Sequence, residues 1–105
     1  MGIIKKDKFN ENQNNLASIF KALGHPARIA IIQYLLKTKK CITSEIINEI
    51  SLAQSTISQH LKELQSAGII KGNIEGVKIY YCLDNDKFLI IKQFIDEIIN
   101  IKIEC

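Results

Sequence analysis

The stretch LAQSTISQHLKELQSAGII, Leu52 to Ile70, constrains this chain more than any other segment. Ile57, Leu61 and Leu64 recur at helical spacing, so one side of a helix there must be buried. The other side of its first half carries Gln54, Ser55, Thr56, Ser58 and Gln59, which both donate and accept hydrogen bonds. Glutamate and lysine, with better helix propensity, would serve a merely solvated face better. Gly68 suits the position just past a helix end, and Ile69-Ile70 opens a β-branched run. The plain alternative is a core helix whose polar side has no function. What surrounds the stretch weighs against it.

Upstream, residues 1–10 read as a loose polar arm. Leu16, Ile19, Phe20 and Leu23 share one face of a first helix, which Gly24 ends. His25-Pro26 restarts the chain, and Pro26 fits the first turn of a second helix carrying Ile29, Ile32, Leu35 and Leu36. Lys37 to Lys40 reads as a basic connection. Thr43 or Ser44 can cap a short third helix with Ile46, Ile47 and Ile50. Ser51-Leu52-Ala53 is long enough only for a tight turn before the fourth helix, which spans about 54–67.

Downstream, 69–74 and 77–83 read as a β-hairpin turning at Glu75-Gly76. Asp84 caps a last helix over 85–103. Phe88, Ile91, Phe94, Ile95, Ile98 and Ile99, widened by Leu89, Ile90 and Ile101, make that helix apolar on most sides. One small core cannot satisfy such a helix, so a second copy of the chain is the expected cover.

The expected fold is therefore mainly α with a β-hairpin, in the order ααααββα. The 105 residues suit a single domain, 1–105. The third and fourth helices form a helix-turn-helix, and the hairpin behind them is a wing. Gln54, Ser55, Thr56, Ser58 and Gln59 would reach base edges, Lys62, Lys71 and Lys78 would neutralise phosphates, and His60 either touches DNA or only fills the helix surface. A net charge of +3 permits such a partner without demanding it. There is no secretory pattern and no apolar run long enough to span a bilayer. Three cysteines without a CxxC pair fit a reducing cytoplasm.

Three motifs, LGHPARIAIIQYL, LAQSTISQHLKELQSAGII and EGVKIYYCL, occur in the order and spacing of the ArsR-type (SmtB-like) winged-helix repressors, and the chain resembles that family from about residue 14 onward. The resemblance implies a homodimer held by the first and last helices, with Leu16, Ile19, Phe20, Phe88, Ile91, Phe94, Ile95, Ile98 and Ile99 at the interface. It implies repression at a two-fold symmetric DNA operator and release by an inducer. It places residues 54–60 on the recognition helix and Lys78 at a wing position often basic in the family. Ala53 departs from the family's usual capping serine.

The inducer is less legible. Where arsenic and cadmium sensors of the family carry a CxC pair, this chain has Ile42 and Ser44. The zinc site on the last helix needs histidines, but His25 and His60 are both far upstream. Asp84, Asp86, Asp96 and Glu97 read as caps and a solvated face, since carboxylates alone are a poor transition-metal set. No metal site is assigned. Thiol-sensing relatives use two cysteines, and Cys41 with Cys105 is similar in outline, although the usual first position is Gln33 here. Lys39 and Lys40 beside Cys41 would favour its thiolate. Thiol modification at Cys41 and Cys105 by reactive sulfur or oxidant is the expected trigger; the alternatives are thiolate-bound metal or arsenite, no cysteine role at all, and, more remotely, a structural or adaptor dimer. Cys82 reads as buried and inert, and His25 as structural. No nucleophile–base set or phosphate-cradling loop points to an enzyme.

Overall fold

The computed structural model describes residues 8–101. The elements are α1 (Glu11–Leu23), α2 (Pro26–Thr38), β1 (Cys41–Ile42), α3 (Thr43–Ile50), α4 (Gln54–Ser66), β2 (Ile70–Glu75), β3 (Lys78–Leu83) and α5 (Asn85–Ile99). The five expected helices and the hairpin are present. Cys105 and most of the arm lie outside the described residues, and α5 ends at Ile99 with Asn100 as its cap, short of the expected end at 103.

Local chemistry sets most boundaries. Asn10 and Gln13 exchange side-chain and backbone bonds at 2.7 and 3.0 Å, a capping box that starts α1. Pro26 opens α2, and His25 Nδ1 accepts the Ala27 N–H at 3.0 Å, so His25 is the cap of that helix. Asp84 Oδ1 accepts from the Asp86 N–H at 3.0 Å to start α5. Thr43 proves to be the first residue of α3 rather than its cap. Ile42 holds the cap position, and its N–H donates to the Glu45 carboxylate at 3.5 Å.

Strand β1 is an addition to the expected order. Helix α2 runs through Lys37 to Thr38, so half of the expected basic connection is helical. Lys39 then turns at φ 71°, and Cys41-Ile42 pairs with β3 in a three-stranded antiparallel sheet ordered β1-β3-β2. A two-residue strand has no local signal, because its stability comes from a partner some forty residues later. The hairpin turn is one residue later than expected. Glu75 faces Lys78, Gly76-Val77 makes the turn, and Gly76 sits at φ 65°.

The core lies between the helices and the inner face of the sheet. Ile19, Ile31, Leu35, Cys41, Ile46, Ile57, Leu61, Leu64, Ile69 and Ile70 are nearly inaccessible. Leu16 and Ile19, expected at a dimer face, are buried inside the chain instead. One core absorbs these two residues of the α1 stripe, while Phe20 of the same stripe stays 40% exposed. Helix α5 is different, because none of its residues is buried. Phe88, Ile90 and Ile91 pack against the core from outside, and Phe94 meets Phe20 of α1 edge-on with ring centres 6.0 Å apart. Phe20, Ile95, Ile98 and Ile99 leave substantial area exposed.

Candidate nucleic-acid interface

The helix-turn-helix is built as its sequence suggests. Ser51 ends α3 in the left-handed region at φ 61°, and its N–H bonds the Ile47 carbonyl at 2.9 Å. Leu52 and Ala53 complete the turn into α4. Ile57, Leu61 and Leu64 are buried on the inner side of that helix. Gln54, Ser55, Thr56, Ser58, Gln59 and Lys62 are all exposed on the outer side. Gln59 Nε2 donates to Glu63 at 3.0 Å, which steadies that amide and leaves its oxygen open. No side chain caps α4 at Ala53, so neither Ser51 nor Ser55 takes over that role.

The wing follows directly. Gly68 adopts φ 76°, and a Cβ there would come within 2.6 Å of Lys87 Cε, so the reversal out of α4 admits glycine best. Opposed residues share a sheet face, and successive residues alternate. Lys71 faces Cys82, Asn73 faces Tyr80 and Glu75 faces Lys78, so these six occupy the outer face. Lys71 and Lys78 are exposed there. Lys40 joins them, 3.3 Å from the Glu75 carboxylate and 4.8 Å from the centre of the Tyr80 ring.

His60 is not on this surface. It is 7% exposed, and its Nδ1 accepts the Arg28 Nε–H at 2.9 Å. Its ring centre lies 4.4 Å from that of His25. Helical periodicity explains the correction: His60 falls beside Ile57, Leu61 and Leu64 on the inner half of the helix. Arg28 was not singled out from the sequence. A cation in the first turn of a helix opposes the macrodipole, and that was the available signal of a tertiary role.

Cys41 also departs from expectation. It is fully buried, and burial pushes its thiol above the usual range. A hydrogen bond with Thr38 pulls the other way, and Glu45 adds to the rise. The neighbouring lysines do not activate it, because the Lys40 ammonium is held on the opposite face of the sheet with Glu75 and Tyr80. Cys82 is partly exposed on that outer face, where Asn73 Nδ2 donates to its sulfur at 3.7 Å. Cys41 faces Tyr81, the residue before Cys82, so the two thiols point to opposite sides of the sheet. Among the described residues no group of three or more His, Cys, Asp or Glu side chains could hold a metal ion. None of the described helices is long and apolar enough to cross a membrane.

Residues 25–71 match the family model of the arsR family of bacterial regulatory proteins. An HTH-type transcriptional regulator of Methanocaldococcus jannaschii is 36% identical over 88 residues, which cover 84% of this chain and 99% of that protein. The chain belongs to the ArsR family. The transcriptional repressor PagR of Bacillus anthracis is 38% identical over 71 residues, covering 68% of this chain and 71% of PagR. Its crystal structure superposes with a TM-score of 0.66 over 77% of this chain and 94% of that one. A homolog of the cadmium resistance regulatory protein CadC from Staphylococcus aureus is 34% identical, covering 89% and 78%. This ArsR-family chain is thus a winged-helix, DNA-binding transcriptional repressor of the ArsR/SmtB type and not an enzyme.

Proposed function

We propose that this repressor binds a two-fold symmetric operator as a homodimer and that an inducer releases it. The observation that carries the reading is the division of α4. Six hydrogen-bonding or basic side chains, Gln54, Ser55, Thr56, Ser58, Gln59 and Lys62, are exposed on one side, while three aliphatic anchors are buried on the other. In the major groove Gln54 to Gln59 read base edges, and Lys62 with the wing residues Lys71 and Lys78 meets phosphates. The uncovered side of α5, with Phe20 beside Phe94, supports pairing of two chains through Phe88, Ile91, Phe94, Ile95, Ile98 and Ile99. A two-fold axis there sets the two α4 helices roughly 34–36 Å apart, one turn of DNA.

Selection from a randomised duplex pool tests this reading. A palindromic site should emerge, bound by two chains, with affinity falling steeply as salt rises. Failure to enrich any sequence at any salt concentration would falsify it.

For the inducer, thiol chemistry at Cys41 and Cys105 now requires an opening step. A fully buried thiol with a raised pKa reacts only when its surroundings part. The donor set does not fit a thiolate metal or arsenite centre among the described residues, since Cys41 and Cys82 face apart. Among the described residues, release by a ligand that is not read through Cys41 or Cys82 fits better.

A further inference from the structure

Arg28 is the only arginine in the sequence, and His25 and His60 are the only histidines. All three meet at one junction between α2 and α4. Arg28 bridges outward from it as well, because its Nη1–H donates to the Ala22 carbonyl of α1 at 3.1 Å. His60 Nδ1 accepts the Arg28 Nε–H, so in the neutral ring the proton sits on Nε2. His25 Nδ1 is likewise occupied as an acceptor by the cap bond of α2. The charged and titratable groups at this junction are Arg28 and His25 from α2, Lys21 from α1 and Glu63 from α4. Lys21 and Glu63 line the same surface cleft as Arg28. Three of these four are basic, and Glu63 is bonded to Gln59.

We infer that His60 is a positioning residue for the DNA-reading helix. As a neutral acceptor it fixes α4 against α2 through Arg28, and its protonation in acid breaks that anchor and loosens the grip on the operator. The inference rests on α4 being the DNA-contacting element. Ser58 and Gln59 immediately precede His60, so a change in how His60 is seated turns the contacting side chains directly. Ala53 supplies no side-chain cap to hold the start of the helix in place independently.

The chemistry has a definite sign. A protonated imidazole carries N–H on both nitrogens and cannot accept from Arg28. Burial, and then the charges of His25 and Arg28, hold the His60 pKa below its usual 6.5. A depressed folded value means that the anchor is fully present above pH 6.5 and is lost as pH falls through the lower folded value. Ordinary electrostatics predicts the opposite, since a protein that gains positive charge binds DNA more tightly.

The test compares the parent, His60→Asn and Arg28→Ala on the duplex selected above, at constant salt, at about pH 7.5 and at the acid pH where imidazole nitrogen NMR of the parent shows His60 protonated. Asn keeps an acceptor near the Nδ1 position and does not titrate. The parent should weaken about tenfold or more in acid, the scale of losing a charge-assisted hydrogen bond. His60→Asn should bind as the parent does at the higher pH and stay flat. Arg28→Ala should be weak at both. Equal or tighter binding by the parent in acid, or an equal loss in His60→Asn, overturns the inference. Imidazole nitrogen NMR of the parent gives a readout without DNA and without any variant. His60 should show the Nε2–H tautomer and lose it as the α2–α4 contact opens. A protonated or Nδ1–H ring at neutral pH also overturns the anchor. If the pool yields no site, the DNA reading fails while the NMR outcome still decides the anchor.

Discussion

Cys41 stands directly opposite Tyr81 across the β1–β3 ladder, and this pairing turns its thiol into the core. The same ladder puts Cys82 on the outer face. An alkylating reagent should therefore label Cys82 far faster than Cys41 in the native protein, with both reacting alike once it is unfolded. Peptide mass spectrometry after timed quenching measures this. Because burial raises the Cys41 pKa, its contribution to stability is fully present below the ordinary thiol range and is lost as pH rises from that range through the raised folded value. Fast native labelling of Cys41 would restore it as a sensing candidate.

Helix α4 starts without a side-chain cap at Ala53, whose φ of -60° and ψ of 149° suit one. Ala53→Ser should stabilise the domain by about 1 kcal/mol and raise the midpoint of thermal unfolding by about 4–8 °C. Calorimetry gives the answer directly, and a lowered midpoint would mean that the start of the helix is held by something other than a cap.

The two sides of α4 should respond separately. Leu64→Ala leaves a cavity in a fully buried site and should cost about 2–5 kcal/mol in denaturant unfolding. Ser58→Ala or Thr56→Ala, on the exposed side, should change stability by less than about 0.5 kcal/mol. Each of these two should still weaken operator binding, by about 1–3 kcal/mol where the side chain reads a base edge. Normal DNA binding by both surface variants would count against the proposed reading face.

Gly68 carries two constraints that can be told apart. Gly68→Ala meets both the positive φ and the Lys87 side chain, 2.6 Å from the new Cβ. Lys87 can swing away, so the backbone term of about 1–2 kcal/mol should dominate. Combining it with Lys87→Ala should recover little of the loss. Full recovery in the double variant would show that crowding rather than φ sets the preference for glycine.

The uncovered side of α5 makes the assembly testable. Ile98 is 43% exposed and Ile95 37%, and both would be buried by a second chain. Ile98→Glu should leave the fold intact by circular dichroism but shift the protein to monomer in light scattering, with operator affinity lost alongside. A parent that is monomeric at micromolar concentration would remove the dimer from the proposal.

Much of this molecule is legible locally. The spacing of Ile57, Leu61 and Leu64, Pro26 at a helix start, Asp84 as a cap and Gly68 at a reversal each specify backbone within a few residues. Periodicity, a fixed φ, one hydrogen bond and a missing Cβ need no distant partner to act. The polar head of α4 was legible for the same reason, because helical geometry alone assigns Ser55, Thr56, Ser58 and Gln59 to the side away from the anchors.

The tertiary structure decided what depends on a partner far along the chain. Strand β1 exists only because β3 returns beside it, and that pairing, not the flanking lysines, sets the chemistry of Cys41. Leu16 and Ile19 became core, while Phe20 of the same α1 stripe and the apolar side of α5 stayed uncovered. His60 lay within the recognition helix by sequence, yet Arg28, thirty-two residues away, made it an internal acceptor. Hydrogen bonds and burial between distant residues leave no period in the sequence, so only the folded chain could turn a reading histidine into an anchoring one.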